Sequence, residues 1–196
     1  MTSRETSPGS ERALRADARR NRERVLRTAQ RLFAEQGLAV SLDEIARRAG
    51  VGPGTVHRHF PTKEALYLAV VIDQLEQLVA EAKTLAATDD PRALFTQLSR
   101  MTAMGAENAT VKSALMAAEF DLRTVAADVA AALTDEVAHL LARAQAAGVV
   151  RPDVTVDEVM ALVAGTFAAI RHAGADTDPG RAAHLAQVVL DGLRPR

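Results

Sequence analysis

The fold is decided by residues 41–60, which read SLDEIARRAGVGPGTVHRHF. Ser41 and Glu44 have the spacing of a capping box, in which the serine oxygen accepts a backbone N–H and the glutamate reaches back to the helix start. A helix is therefore predicted to start at Ser41. The glycine-rich break at Gly50-Val51-Gly52 ends it, and Pro53 suits the first turn of a further helix. The stretch thus predicts two short helices separated by a tight turn.

The residues before this stretch predict another helix, from about 20 to 36. Its apolar side chains recur at helical spacing, and Gly37 follows where a helix commonly ends. The apolar face consists of Val25, Leu26, Ala29, Leu32 and Phe33. Residues 1–19 carry many arginines and few bulky apolar side chains, so they are predicted to form a flexible basic tail. After the two short helices, a long helix is predicted to start at Lys63.

The remaining residues also predict helices. They are rich in Ala and Leu and lack the alternation of β-branched residues that indicates strands. The predicted fold class is therefore all-α, with a three-helix domain at 20–68 and a helical bundle at 69–196. The last two helices are predicted from Thr155 to Ala173 and from Pro179 to Leu193. Both are apolar almost all round, as expected of helices that pack on the bundle and on a second chain.

The composition limits the classes of function. The 196 residues are 48% apolar and 3% aromatic and contain no cysteine, which excludes disulfides, thiol nucleophiles and cysteine zinc sites. The apolar stretch from Val159 to Ile170 is far shorter than the ~20 residues that span a membrane. The N-terminus lacks the apolar segment of a secretory signal. We therefore expect a cytoplasmic protein with no membrane partner.

The formal net charge of −1 hides an uneven distribution. Residues 1–63 carry 13 Lys and Arg against 7 Asp and Glu, whereas residues 64–196 carry 11 against 18. A basic segment joined to an acidic one suggests an anionic partner for the basic part, of which nucleic acid is the commonest. The alternative is a solvated basic tail without a partner. The arginine-rich stretch from Arg12 to Arg24 could add contacts to phosphates or to the minor groove, or attract DNA only non-specifically.

Two short helices around a glycine-containing turn form a helix-turn-helix, whose second helix enters the major groove of DNA. Gly52 and Gly54 have no side chain to hold the backbone away from DNA. Thr55 offers a methyl group or a hydroxyl to a base edge or a phosphate. The basic residues that follow can donate hydrogen bonds to phosphates. They are His57, Arg58, His59 and Lys63.

The runs LDEIARRAGV (42–51) and GTVHRHFPTKEAL (54–66) resemble the N-terminal domain of TetR-family transcriptional regulators. The resemblance extends from about Arg22 to Leu68. It implies a homodimer that binds a palindromic operator on double-stranded DNA and a small-molecule effector that releases it, with no cofactor. It also implies base-facing positions at Gly52, Pro53, Gly54 and Thr55. The implied phosphate-facing positions are Ser41 or Leu42, His57, Arg58, His59 and Lys63.

Two residues depart from the pattern of the family. His57 stands where members very often have a tyrosine that contacts a phosphate, so this contact is expected to become sensitive to pH near neutrality. Pro53 stands where many members have a polar residue that reaches a base. We therefore expect Thr55 and the shape of the DNA to carry more of the sequence specificity.

Metal binding and catalysis are not expected. His57 and His59 are two residues apart, about 200° around a helix, so they cannot chelate one ion. Glu136 and His139 match one Glu-x-x-His element of a di-iron bundle, which needs two. The sequence contains no phosphate-binding loop, Gly-x-Ser-x-Gly elbow or His-Glu-x-x-His motif. The remaining alternative to a regulator is a helical protein-interaction module whose helix-turn-helix does not read DNA.

An effector cavity in the bundle would need adaptable apolar walls. Methionines and the few aromatic residues suit such walls, although each of them could equally be an ordinary core residue. The candidates are Phe95, Met101, Met104, Met116, Phe120, His139 and Phe167. The identity of the effector does not follow from the sequence.

Overall fold

The computed structural model describes residues 8–107, 126–175 and 178–195. Every regular element in these ranges is helical, and the predicted all-α class is confirmed. The chain divides into two compact units, Met1–Val70 and Val71–Arg196.

The first unit contains α1 (Pro8–Gln36), a 3-10 turn (Gly37–Ala39), α2 (Leu42–Ala49), α3 (Pro53–His59) and the start of α4 (Lys63–Ala86). The prediction of a helix starting near residue 20 was wrong, because α1 already begins at Pro8. Residues 8–19 are rich in the helix formers Ala and Arg, and proline is favoured in a first helical turn. Ion pairs one turn apart, Arg20 with Asp17 and Arg19 with Glu23, add to the helix. The first seven residues of the predicted tail lie outside the described residues.

The core of the first unit forms where α1 packs against α2 and α2 packs against α3. The five predicted apolar residues of α1 are all buried, as are Ile45 on α2 and Val56 on α3. The ring of Phe33 lies 4.0 Å from that of Tyr67 between centroids. Burial raises the pKa of Tyr67 to about 12, so the phenol stays neutral inside the core. This apolar contact joins α1 to the first turns of α4.

The second unit contains the rest of α4, then α5 (Ala93–Glu107), α6 (Ala127–Ala146), α7 (Val156–His172) and α8 (Pro179–Asp191). Helix α5 packs against α6, α7 and α8 around an aliphatic core. Its most buried residues include Leu94, Leu98, Val137, Leu140 and Val159. Among the described residues, no helix combines the length and the apolarity that a membrane crossing would require.

Two polar side chains bind the C-terminal half of α4 to its neighbours in the second unit. Gln97 on α5 is fully buried, and its Nε2 donates to the backbone oxygen of Leu78 at 3.1 Å. Arg143 on α6 donates to the backbone oxygens of Ala86, at 2.5 Å, and of Thr88. These carbonyls lie at the end of α4, where helical hydrogen bonding leaves oxygens without donors. The guanidinium therefore caps α4 and fixes its end against α6.

Candidate nucleic-acid interface

Helix α2 begins at the predicted cap. Ser41 has an extended backbone, and its Oγ accepts the N–H of Glu44 at 3.1 Å. The carboxylate of Glu44 turns to Arg47 and Arg48 rather than back to the helix start, at distances of 2.6 and 2.9 Å. The hydrogen bond from Arg47 is the main reason that the pKa of Glu44 lies below its ordinary value. Half of the capping box is thus present, and the other half is replaced by ion pairs along α2.

The turn between α2 and α3 depends on Gly50. Its φ of 64° and ψ of 35° are left-handed, a conformation that costs other L-residues about 1–2 kcal/mol. Its N–H bonds back to the last turn of α2, and the N–H of Val51 reaches the oxygen of Ala46 at 3.0 Å. Val51 then enters the core, and α3 starts at Pro53. The predicted glycine turn is confirmed.

Helix α3 has one buried and one open side. Val56 and Phe60, four residues apart, are buried against the unit. Residues 52–54 are exposed and Thr55 is partly exposed. A Cβ placed on Gly54 would meet no atom within 4 Å. The backbone at the start of α3 is therefore bare, that is, not covered by side chains, and a groove of DNA can approach it closely.

Basic side chains surround this bare surface. His57, Arg58 and His59 are exposed along α3, and Lys63 is half-buried in the first turn of α4. Ser41 is exposed at the start of α2. The side chain of Leu42, in contrast, is 7% exposed and belongs to the core. Only its backbone N–H, in the first helical turn where such groups lack helical acceptors, can serve as a phosphate contact.

His57 is held by a residue that the sequence analysis missed. Its Nε2 lies 2.8 Å from Oδ1 of Asp43, in the first turn of α2. A carboxylate only accepts hydrogen bonds, so Nε2 carries the proton of this bond. The remaining ring nitrogen, Nδ1, can then donate to a phosphate only when the imidazole is positively charged. No local spacing indicated Asp43, because the Gly50 turn is what brings it beside α3.

The structure brings together only some of the predicted effector-cavity residues. Met101 is buried in the core of the second unit, and Met104 and Phe167 pack against the same core. Phe95 is partly buried and packs against that core as well, with the guanidinium of Arg194 4.7 Å from its ring centroid. His139 is exposed on α6, while its neighbours Val137 and Leu140 point into the core, so His139 stands apart from this group. Met116 and Phe120 lie outside the described residues.

Metal ligands do not gather in the part of the chain that the structure describes. No group of three or more His, Asp or Glu side chains there is placed to hold an ion. Glu136 is partly buried, and its carboxylate lies 4.0 Å from Nζ of Lys83.

The two glycines of the turn region should respond oppositely to alanine. Gly50→Ala forces a left-handed alanine and should lower the free energy of unfolding by about 1–2 kcal/mol. Gly54→Ala places a methyl group in open space on a helix and should raise it by about 0.5–1 kcal/mol. Thermal and denaturant unfolding of both variants at one protein concentration measures the difference. Equal effects would show that the conformation of Gly50 does not constrain the turn.

Two family models together match most of the chain. Residues 25–70 match the model of bacterial regulatory proteins of the tetR family. Residues 89–195 match the model of the C-terminal domain of SbtR-like transcriptional regulators. The first match contains the whole helix-turn-helix, and the second spans more than half of the chain.

Solved structures agree with these matches over nearly the whole length. A TetR transcription regulatory protein from Mycobacterium vanbaalenii is 43% identical, with a TM-score of 0.74, over 93% of this chain and 99% of that one. A TetR transcriptional regulator from Streptomyces coelicolor is 32% identical, with a TM-score of 0.71, over 89% and 98%.

A curated relative matches over a shorter region. An HTH-type transcriptional regulator from Staphylococcus aureus is 36% identical over 73 residues, which is 37% of this chain and 40% of that protein. The long structural and domain matches carry the assignment, and they confirm the resemblance that the helix-turn-helix indicated. The chain belongs to the TetR family of transcriptional regulators, which act by binding DNA and not as enzymes.

Proposed function

We propose that this regulator is a homodimeric repressor that binds a palindromic operator and is released by a small-molecule effector. The observation that carries the proposal is the bare start of α3, residues 52–55, set among exposed basic side chains. Such a surface fits a major groove, because the backbone can approach base edges while cations meet the phosphates on either side. No cofactor is needed for this action, and we expect it to take place in the cytoplasm.

Contacts to bases and contacts to phosphates are made by different residues. Thr55, the partly exposed side chain beside the bare backbone, meets base edges together with Gly52, Pro53 and Gly54. The phosphates are bound by Ser41 or the N–H of Leu42, and by His57, Arg58, His59 and Lys63. Since Pro53 offers no hydrogen-bond donor, direct readout is sparse and the shape of the DNA contributes to specificity.

The dimer forms through α7 and α8. Leu162 on α7 and Val188 on α8 are large apolar side chains that are 42% and 57% exposed. Leu162 lines a depression of about 540 Å³ together with Ala161, Gly165 and Val189, and polar side chains also line it: Arg151, Asp153, Glu158 and Thr166. Exposed apolar side chains beside small residues allow two helices to approach closely, and a second copy can bury this surface by two-fold symmetry.

The effector acts through α4. Three residues separate the end of α3 from the start of this helix, which continues into the second unit, where Gln97 and Arg143 bind its C-terminal half. An effector in the second unit, with walls that include Met101, Met104 and Phe167, favours a position of α4 that differs from the DNA-bound one. Because the effector binds that state more tightly, it lowers the affinity for DNA by the same coupling free energy.

Selection from a pool of random duplex DNA tests the DNA-binding part of the proposal. The purified protein is incubated with the pool at roughly 150 mM salt, where specific contacts must supplement phosphate attraction, and the retained duplexes are sequenced. We expect a palindrome. Retention of duplexes without any sequence preference would instead favour a helical interaction module whose helix-turn-helix does not read bases.

Variants at two positions should separate phosphate contacts from base contacts. Lys63→Ala should weaken binding to the selected palindrome and to random duplex by a similar factor and reduce the salt slope by about 1. Thr55→Ala should change which sequences are retained, because it removes a group that meets base edges. Fluorescence anisotropy on both duplexes measures this. Similar effects of the two variants on both duplexes would contradict the division of roles.

Charge on the proposed dimer surface should separate the subunits. Leu162→Arg places a guanidinium on the proposed dimer surface, where burying a charge against a second copy is costly. Light scattering should give a mass near twice 20.9 kDa for the unmodified chain and a single-chain mass for the variant. Gln77→Arg, at an exposed position of α4, is the control and should stay dimeric. A dimer that survives Leu162→Arg unchanged would place the interface elsewhere.

A further inference from the structure

Among the described side chains of α1, none before Val25 is buried in the core. The described side chains at 17–20 and 22–24 are exposed, and burial begins only at Val25. Residues 8–24 extend over about 25 Å at 1.5 Å per residue. They contain six arginines against three acidic residues. The packing of the first unit therefore does not account for the described residues 17–20 and 22–24.

The arginines on one side of this segment continue the apolar stripe of α1. Arg19, Arg22, Leu26, Ala29 and Phe33 follow one another at intervals of three and four residues, so they lie on one face of the helix. The last three are in the core against which the helix-turn-helix packs. The first two lie on the same face, beyond the point where the core ends.

A direct contact shows which part of the helix-turn-helix this face approaches. The guanidinium carbon of Arg22 lies 5.9 Å from the ring centroid of Phe60, the residue that ends α3. Near the same level of α1, Nη2 of Arg24 lies 3.5 Å from the oxygen of Gly50 in the turn. A guanidinium above a ring keeps its in-plane N–H groups free for other acceptors. Arg22 thus presents donors at the end of the helix that enters the groove.

We propose that Arg19 and Arg22 bind DNA phosphates just outside each operator half-site and so lengthen the contact beyond α3. The inference rests on the proposed operator binding and adds a second surface to it. Arg19 pairs with Glu23 at 3.6 Å, but both side chains are more than half exposed, so a phosphate can replace the carboxylate at little cost. The contact is to the sugar-phosphate backbone and carries no base preference.

The salt dependence of binding measures these contacts. Each phosphate contact adds about 0.9 to the slope of log affinity against log salt, so Arg19→Ala/Arg22→Ala should reduce the slope by about 1.8. Between 50 and 200 mM salt, the unmodified protein should then lose about 12-fold more affinity for the palindrome than the variant does. The lysine pair Arg19→Lys/Arg22→Lys should keep the slope, because it keeps the charge.

The control removes the same charge from another side of the same helix. Arg27 and Arg31 are exposed and lie about 110° and 150° around the helix from the midpoint between Arg19 and Arg22. Arg27→Ala/Arg31→Ala should leave the slope unchanged. A second readout is the length of the duplex: trimming the palindrome to its half-sites should remove the difference between the unmodified protein and Arg19→Ala/Arg22→Ala.

The outcomes separate this inference from the proposed function. If the unmodified protein retains no palindrome, operator binding itself fails. If it binds the palindrome but both arginine pairs change the slope equally, the effect is general electrostatic attraction and the Arg19 and Arg22 surface is not a contact. An unchanged slope in Arg19→Ala/Arg22→Ala would overturn the inference in the same way. Circular dichroism should show that α1 stays helical in all variants, since alanine favours helices.

Discussion

The left-handed backbone of Gly50 is the constraint on which the proposed DNA surface depends. It ends α2 and turns the chain so that Val51 enters the core and α3 starts at Pro53. The same turn places Asp43, at the start of α2, within hydrogen-bond distance of His57 on α3. The buried pair Val56 and Phe60 then fixes which side of α3 faces outward. The backbone conformation of Gly50 therefore determines which side of α3 is exposed at the proposed DNA surface.

The sequence predicted this first unit well because its signals are local. A serine cap, a glycine turn and a proline in the first helical turn each act within a few residues, and the apolar face of α1 follows helical spacing. Two features could not be predicted from these local signals. The bond between Asp43 and His57 joins residues fourteen positions apart and depends on the geometry of the turn. The helical state of residues 8–19 depends on propensity and ion pairs, whereas their lack of apolar residues suggested a tail.

The second unit was less predictable, because its structure depends on packing between residues far apart in the chain. Methionine and phenylalanine are equally suited to a core and to a cavity wall, and only packing separates the buried Met101 from the exposed His139. The contacts that hold α4, from Gln97 and Arg143, join residues far apart in the chain and have no sequence signature. They matter because α4 is one continuous helix from Lys63, a proposed phosphate contact, to its capped end at Ala86.

Half-site spacing tests most directly whether two α3 helices act as one rigid pair. The measurement is the affinity of the protein for a series of duplexes that carry the selected half-sites with base pairs inserted between them. A two-fold dimer predicts one preferred spacing. Inserting roughly five base pairs rotates the half-sites to opposite faces of the DNA, and the affinity should then fall by about ten-fold or more. A change in salt concentration should not restore this affinity. The same affinity at every spacing would contradict the account, since each subunit would then be binding DNA alone.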